Sequence, residues 1–535
     1  MSSQAKAQAL LMGNQALARG ALEAGISVAA GYPGTPSTEI VESLAHEAEA
    51  RNIHVEWSSN EKVALEVAAA ASFAGLRSLA VMKQVGVNVA ADFLLHLSAS
   101  GTRGGLVLVS CEDPGALSST NEGESRPYAR SMEFPLLEPG TVQEAKDMCA
   151  WAFDLSESIQ NLVMVRSVTR LSHGSAPVRL GELASSPRQA HFHFTGAMND
   201  PRTGPIINLP GIVLIARQRQ QANLHKAEAI FNDSPFNVYQ GPDHPELLII
   251  TSSIPWLYCL EARECLKLSS RVGILKLGTT WPLPERLLAE HLGRSERVLV
   301  VEETLPFLED AIQALTARLG RSVGRTTFFG KKDSLLPTVG ELSPEILFET
   351  LTRLMDLPRY QPVPSWYREE AEQHASFAPP RTLTLCPGCP HRASFWSITT
   401  VLQLENTDGF VCGDIGCYSM AALPTGFSSL KTLHSMGSGL GLACGFGQLR
   451  PFGLEQSVVA VCGDSTFFHA VMPALVNAIH NQADCTLIVL DNSGTAMTGF
   501  QAHPGLGSNA LGHEAPAVDI PAVCRAMGAK VAICD

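Results

Sequence analysis

The sequence predicts a multidomain α/β protein built on parallel sheets, and three observations predict it. Short apolar runs, each the length of one buried strand, alternate with longer stretches of helical periodicity at 27–30, 78–82, 105–110, 162–166, 247–251, 297–302, 457–462 and 486–490. The chain has 535 residues, more than one core organises, so about three domains of roughly 150 residues each are expected. Two segments also break the pattern. Residues 172–210 are rich in Ser, Gly and Pro, and residues 356–385 carry Pro358, Pro362, Pro364, Pro379 and Pro380. Domains are therefore expected at 1–180, 230–355 and 380–535, with linkers at 181–229 and 356–379. The last run, 530–534, reads as a strand with nothing after it. A parallel strand is normally covered on both faces, so the C-terminal domain is expected to be incomplete.

Composition narrows the function classes. The chain is 45% apolar and 17% charged, as in ordinary globular proteins. Its net charge of −13 repels a phosphate backbone, which argues against a nucleic-acid partner. The N-terminal MSSQAKAQALLMGNQALARG lacks the apolar stretch of a secretory signal, and runs such as 105–109 and 486–490 are too short to cross a bilayer. A cytoplasmic protein that contacts no membrane is expected. Most of its thirteen cysteines, Cys149, Cys462 and Cys485 among them, sit singly in apolar runs and read as core residues.

The strongest chemical signal is VCGDS at 461–465, following an apolar run, with Asn492 in LDNSG 28 residues beyond Asp464 and a helical segment at 467–481 between them. A strand–helix–strand unit puts Asp464 and Asn492 at the C-terminal edge of a parallel sheet, where ligands bind in open α/β folds. A carboxylate and an amide oxygen are hard donors. With a backbone carbonyl, expected at Gly494, and a diphosphate, they complete an octahedral Mg2+ site. Taken singly, each residue would read as a helix cap or a turn residue. Just upstream, MGSGLGLACGFG is a weak dinucleotide fingerprint and reads better as a helix N-terminus whose free N–H groups attract a diphosphate.

The pair resembles the GDG–NN pattern of thiamine diphosphate enzymes, with Ser465 in place of the usual glycine. The longer string GDSTFFHAVMPALVNAIHNQADCTLIVLDNSGTAMTG resembles the large (alpha) subunit of indolepyruvate:ferredoxin oxidoreductases. The resemblance implies a thiamine diphosphate fold with a pyrimidine-binding domain at 1–180, a transketolase-C-like domain at 230–355 and a diphosphate/Mg2+-binding domain at 380–535. It also implies cofactor contacts at Gly413, Cys417, Met436, Gly437, Gly463, Asp464, Ser465, Asn492, Met497 and Thr498.

Thiamine chemistry needs a carboxylate that hydrogen-bonds N1′ of the aminopyrimidine, so that C2 of the thiazolium can lose its proton. In WSSNEKVALEVAAAASFAGL, Asn60 would cap a helix that Glu61 opens, at a domain surface near a strand end. Alone, Glu61 would only complement the helix dipole. The family carries its catalytic Glu at the matching place, which implies that role for Glu61. GYPGTPSTE at 31–39 is similarly a tight loop after a strand. In the family it covers the reacting carbons, which implies that Thr35 hydrogen-bonds the substrate carboxylate or carbonyl; a purely structural turn is the other reading. In CEDPGALSSTNEGESRPYAR, Arg126 faces a carboxylate or forms a surface ion pair.

CPGCPHR at 386–392 offers Cys386 and Cys389, without the second C-x-x-C of a zinc site. The resemblance implies a [4Fe–4S] cluster held by Cys386, Cys389 and Cys417 of GDIGCYSM, with Cys412, Cys524 or Cys534 open as the fourth ligand. The other reading makes the pair loop thiols shaping the cofactor pocket. No bacterial-type ferredoxin repeat is present, a departure from the family pattern. KLGTTWPLPERLL and RVLVVEETLPFLEDAI resemble the middle domain; Glu302 and Glu303 read as helix-capping and domain-contact carboxylates, without catalysis.

The expected activity is oxidative decarboxylation of aryl pyruvates to acyl-coenzyme A and CO2, with electrons passed to ferredoxin. A small beta subunit is the implied partner. Met497 and Phe500 suit a bulky apolar substrate. A non-oxidative thiamine decarboxylase and a non-catalytic scaffold are the alternatives.

Overall fold

The computed structural model describes residues 7–184, 189–198, 200, 202–358, 360, 363–379 and 382–534. Pro362 and Pro380 of the second expected linker lie outside the described residues. The chain forms two compact units. One spans the chain as far as residue 362 apart from 57–60; the other comprises 57–60 and 363–535.

In the first unit the strands are β1 (Gln8–Met12), β2 (Val28–Gly31), β3 (His54–Trp57), β4 (Ser78–Lys83), β5 (Leu106–Glu112), β6 (Leu136–Leu137) and β7 (Val163–Val168). They continue with β8 (Ser175–Arg179), β9 (Val238–Gln240), β10 (Leu247–Ser252), β11 (Val272–Leu277), β12 (Thr279–Trp281), β13 (Arg297–Val301) and β14 (Thr327–Phe329). A seven-stranded sheet has the order β12-β6-β7-β5-β4-β2-β3, and a five-stranded sheet the order β14-β13-β10-β11-β9. Neighbours from β2 to β6 run parallel, as do β11, β10, β13 and β14, while β12 and β9 are antiparallel additions. Helices cover these sheets, so β5, β7, β10 and β11 are buried along their whole length and are mostly apolar, their charged members Glu112, Arg166 and Lys276 each held in an ion pair. One apolar cluster runs from Leu65, Leu108 and Met164 to Leu248, Leu275 and Ile312, so the two sheets share a core. Strand β12, from the expected middle domain, extends the first sheet.

The first linker proves more ordered than its composition suggests. β8 pairs antiparallel with β1, and residues 212–229, expected within a linker, belong to the helix Ile212–Phe231. That helix buries Ala216, Gln220, Asn223, Ala227 and Phe231, a face too small and polar to register as an apolar stripe. The second linker contains a helix, Ser365–Ala375, that buries no residue.

The second unit holds β15 (Phe410–Cys412), β16 (Leu430–Thr432), β17 (Val458–Gly463) and β18 (Thr486–Leu490), all parallel in the order β16-β15-β17-β18. The expected helix at 467–481 begins at Asp464, passes through a π turn at Phe467–Val471 and ends at His480. Residues 530–534 are not a strand. Val531 packs on the apolar core, but no neighbouring strand among the described residues pairs with the run, and an unpaired backbone does not make a sheet. Among the described residues no helix is long and apolar enough to cross a membrane.

Candidate functional site

Each unit gathers candidate residues at the C-terminal edge of its own parallel sheet. In the second unit, β17 and β18 run side by side with Gly463 in register with Leu490. Asp464, the next residue on one strand, and Asn492, two residues past the other, are thereby brought together. The Asp464 carboxylate is buried. Its Oδ1 accepts from the Ser465 N–H at 2.8 Å, and its Oδ2 accepts from the Gly494 N–H at 3.2 Å and faces His503 Nε2 at 3.1 Å. One polar atom of the Asn492 carboxamide lies 2.8 Å from the Gly494 carbonyl oxygen and 3.3 Å from Asp464 Oδ1. Either the amide –NH2 stands there and donates to both, or the amide oxygen does and three oxygens face one another. The second arrangement needs a cation to hold it. Magnesium–oxygen bonds of 2.0–2.1 Å place adjacent ligand oxygens about 2.9 Å apart, close to the 2.8 Å spacing and shorter than the 3.3 Å one. The donor set Asp464, Asn492 and Gly494 therefore fits Mg2+.

Glycine at 463 has a steric reason. A Cβ there would lie 2.8 Å from the Tyr418 ring, whose hydroxyl donates to the Ile415 carbonyl at 2.7 Å and contacts Thr466 Oγ1 at 2.9 Å. Ser465 tolerates its unusual place because its hydroxyl accepts from Thr495 Oγ1 at 3.1 Å. Thr498 donates to Gln501, whereas Met497 and Phe500 are 48% and 66% exposed.

The helix N-terminus at 437 is where the sequence places it, opening the helix Ser438–Gly447, but its donors are not free. Gly437 N–H and Gly439 N–H donate to the two oxygens of Asp414 at 2.9 and 3.1 Å. Burial pushes the Asp414 carboxyl up to about 6. Asp414 went unremarked in the sequence because GDIGC was read for its cysteine. It follows Gly413 at the end of β15 just as Asp464 follows Gly463 at the end of β17, and that repeated Gly-Asp was the available signal.

Cys386 and Cys389 precede the helix Pro390–Glu405, and Cys417 opens a short 3-10 helix. Burial, with the nearby Cys389 and Cys386, raises the Cys417 thiol. Among the described residues no group of three His, Cys, Asp or Glu side chains is arranged to hold a metal ion. Of the candidate fourth ligands, Cys412 and Cys524 belong to the apolar core and Cys534 is exposed. Core packing removes the first two from the choice.

In the first unit, Glu61 is the first residue of the helix Glu61–Phe73 and is 5% exposed, buried where a surface position was expected. Gly86 makes room for it: a Cβ there would lie 2.5–2.9 Å from Glu61 Cγ, Cδ and Oε1. The loop between β2 and the helix Thr38–Arg51 is pinned from within. Ser37 Oγ donates to the Gly34 carbonyl at 2.6 Å, Gly34 N–H donates to Thr38 Oγ1 at 3.0 Å, and Asn14 Nδ2 donates to the Pro36 carbonyl at 2.7 Å. Thr35 sits half-buried in this loop.

Arg126 is neither a surface ion pair nor available to a substrate. It is fully buried, with Nε on Glu124, Nη1 on Glu302 at 2.8 Å, and Nη2 on the carbonyls of Glu303 and Leu305 at 2.8 and 3.0 Å. Glu302 also accepts from Leu308 N–H and Glu309 N–H, capping the helix Phe307–Leu319 while it binds Arg126, as the capping and domain-contact reading expects.

Residues 19–232 match the family model described as pyruvate flavodoxin/ferredoxin oxidoreductase, thiamine diP-bdg. Residues 414–535 match the model described as thiamine pyrophosphate enzyme, C-terminal TPP binding domain. The chain is 39% identical over 524 residues to indolepyruvate oxidoreductase subunit IorA of Methanothermobacter marburgensis, covering 97% of this chain and 81% of that one. It is 37% identical over 540 residues to the subunit of the same name from Pyrococcus horikoshii, covering 98% and 81%. Among solved structures, a 2-oxoglutarate:ferredoxin oxidoreductase from Magnetococcus marinus shares the fold with a TM-score of 0.53 at 15% identity, over 65% of each chain.

Proposed function

The chain belongs to the family of indolepyruvate oxidoreductase subunit IorA, and from that premise we propose that it is the thiamine diphosphate-binding subunit of an oxidoreductase for indolepyruvate and related aryl 2-oxoacids. The observation that carries the cofactor reading is the convergence of the Asp464 carboxylate, the Asn492 carboxamide and the Gly494 carbonyl at the edge of β17 and β18. These three would hold Mg2+, and through it the diphosphate. Thiamine diphosphate, when bound, supplies a nucleophilic carbon and an electron sink for decarboxylation.

The remaining steps belong to side chains of this chain. Glu61, buried at its helix start beside Gly86, would hold a proton against the aminopyrimidine ring. Thr35 would orient the substrate through its carboxylate or carbonyl. Met497 and Phe500 would offer apolar contact to an aryl side chain. Cys386, Cys389 and Cys417, whose thiols are not arranged around a metal ion in this structure, are the residues that the family resemblance assigns to a [4Fe–4S] cluster, which would pass electrons singly. A small beta subunit, ferredoxin as acceptor and coenzyme A as acyl acceptor complete the proposal. So does a cytoplasmic setting, which thirteen cysteines outside any disulfide support.

Anaerobic purification with cofactor, iron and sulfide analysis tests this reading, together with EPR spectra before and after addition of indolepyruvate. Bound thiamine diphosphate with iron and a reduction signal on adding substrate is the expected result. Thiamine diphosphate and magnesium without iron would favour a non-oxidative decarboxylase. A preference for pyruvate over indolepyruvate and phenylpyruvate would overturn the substrate class.

A further inference from the structure

Four segments meet at the C-terminal edge of the first sheet: the loop after β2, the start of the helix Glu61–Phe73, the start of the helix Gln84–Ser100, and the loop after β5. Glu61 and Thr35 account for two of them. Lys83 and Gln84, at the junction of β4 and its helix, have so far no role. Gly34, beside Thr35, would bring a Cβ within 3.0 Å of Lys83 Cβ and 3.7 Å of its Cδ, so the lysine stem runs directly under the Thr35 loop. Gly86, two residues beyond Gln84, is the glycine against which Glu61 rests. Gly123, in the loop after β5, would bring a Cβ within 3.5 Å of Gln84 Cγ, so the glutamine is directed at that loop.

The polar atoms of this pair are poorly satisfied. Gln84 is 2% exposed, yet neither Nε2 nor Oε1 has a hydrogen-bond partner among the described residues. A buried amide with both polar atoms unmet is costly, and such a group calls for an explanation. Lys83 Nζ donates to the Ser118 carbonyl at 2.9 Å and forms no ion pair among the described residues. Asp113, the nearest carboxylate to act on it, is engaged elsewhere: it accepts from Ser118 N–H, Ser119 Oγ and Thr169 Oγ1. Burial depresses the Lys83 ammonium to about 8, offset only in part by the Asp113 carboxylate. Lys83 is also the residue preceding the 17-residue helix Gln84–Ser100, whose first N–H groups add positive potential at the same spot.

A buried amide donor, an ammonium that forms no hydrogen-bonded ion pair among the described residues and a helix N-terminus together suit an anion with acceptor oxygens. We propose that Lys83 and Gln84 form the subsite that binds the carboxylate of the 2-oxoacid substrate, beside Thr35. This rests on the 2-oxoacid reading given above and names the residues that select its charged end. Gln84 Nε2 donates to one carboxylate oxygen and Lys83 supplies the charge; both act by binding and orientation, and neither exchanges a proton with the substrate.

The test uses the holoenzyme loaded with thiamine diphosphate and Mg2+, as wild type and as Lys83→Met, Gln84→Leu and Gln84→Glu. Two readouts are independent of each other. The first is steady-state turnover of indolepyruvate. KM should rise about 10- to 100-fold in Lys83→Met and Gln84→Leu, and further in Gln84→Glu, where a like charge opposes the substrate, with kcat changed much less. The second is calorimetric binding of indolelactate, which keeps the carboxylate but is not decarboxylated. Its affinity should fall by the same factor, while cofactor binding and exchange of the thiazolium C2 proton stay at wild-type values. Equal indolelactate affinity in wild type and variants, or no indolelactate binding to the wild type, would overturn the subsite. Wild type that binds indolelactate through Lys83 and Gln84 but turns over no 2-oxoacid would instead overturn the functional reading and leave the subsite standing.

Discussion

His503 Nε2 lies 3.1 Å from Asp464 Oδ2, with both side chains buried. Gly505 N–H donates to the other ring nitrogen, Nδ1, at 3.1 Å, which leaves the ring proton on Nε2, pointing at the carboxylate. His503 thus turns Asp464, leaving Oδ1 toward Asn492. Partners that orient a metal ligand in this way typically change metal affinity by 10- to 100-fold when removed. His503→Phe keeps a ring against Phe468, 5.7 Å away between centroids, and removes the donor. We expect Mn2+, used as an EPR-visible substitute for Mg2+, to bind about 10- to 100-fold more weakly in the presence of thiamine diphosphate. Unchanged Mn2+ titrations would show that His503 merely packs.

Gly86 and Glu61 make a second test. A methyl at Gly86 would fall within 2.9 Å of the Glu61 carboxyl group, and Glu61 is the group that must yield. Gly86→Ala should leave cofactor retention near normal but slow C2 proton exchange, measured by NMR on quenched samples, by about 10²-fold or more, the scale of a lost acid–base group. Normal exchange in Gly86→Ala, or full activity in Glu61→Gln, would remove Glu61 from the mechanism.

Residues set directly after an apolar strand were legible, because local sequence alone decides that they stand on a sheet edge. Asp464, Asn492 and the Thr35 loop are of this kind. His503 was not: it reaches Asp464 across 39 positions through a loop with no periodicity to read. Asp414 hid behind a neighbouring cysteine motif. Gln84 carries no motif at all, and its significance lies in unmet hydrogen bonds, which depend on the folded surroundings. The helix Ile212–Phe231 reads as a linker because its buried face uses Gln220 and Asn223, whose value depends on contacts such as Gln220 Nε2 to the Met132 carbonyl. At 530–534 the error ran the other way: strand-like composition found no neighbour to pair with.

Arg126 links the first sheet's loop to Glu302 of the second sheet's edge inside a fully buried setting. Removing one partner of such a pair leaves an uncompensated charge and costs about 3–5 kcal/mol. Arg126→Met should therefore lower the calorimetric Tm clearly. Arg126→Met combined with Glu302→Gln should recover part of the loss, because one stranded carboxylate is neutralised. A single variant as stable as wild type would mean that water reaches the cluster.

Glu303 gives the pH prediction. Burial raises its carboxyl from 4.5 to about 7, despite the Leu342 N–H that donates to Oε1 at 3.1 Å. The folded chain therefore holds this proton more tightly than the unfolded chain does. Its contribution to stability is complete below about pH 4.5 and is lost as pH rises toward and through 7. Glu303→Gln keeps the shape and removes the titration. Relative to wild type, its Tm should therefore be higher at pH 8 than the same comparison gives at pH 5, with the difference growing across the 4.5–7 window. Thermal melts at closely spaced pH values decide the matter: parallel Tm profiles for the two proteins would mean that Glu303 titrates no differently folded than unfolded.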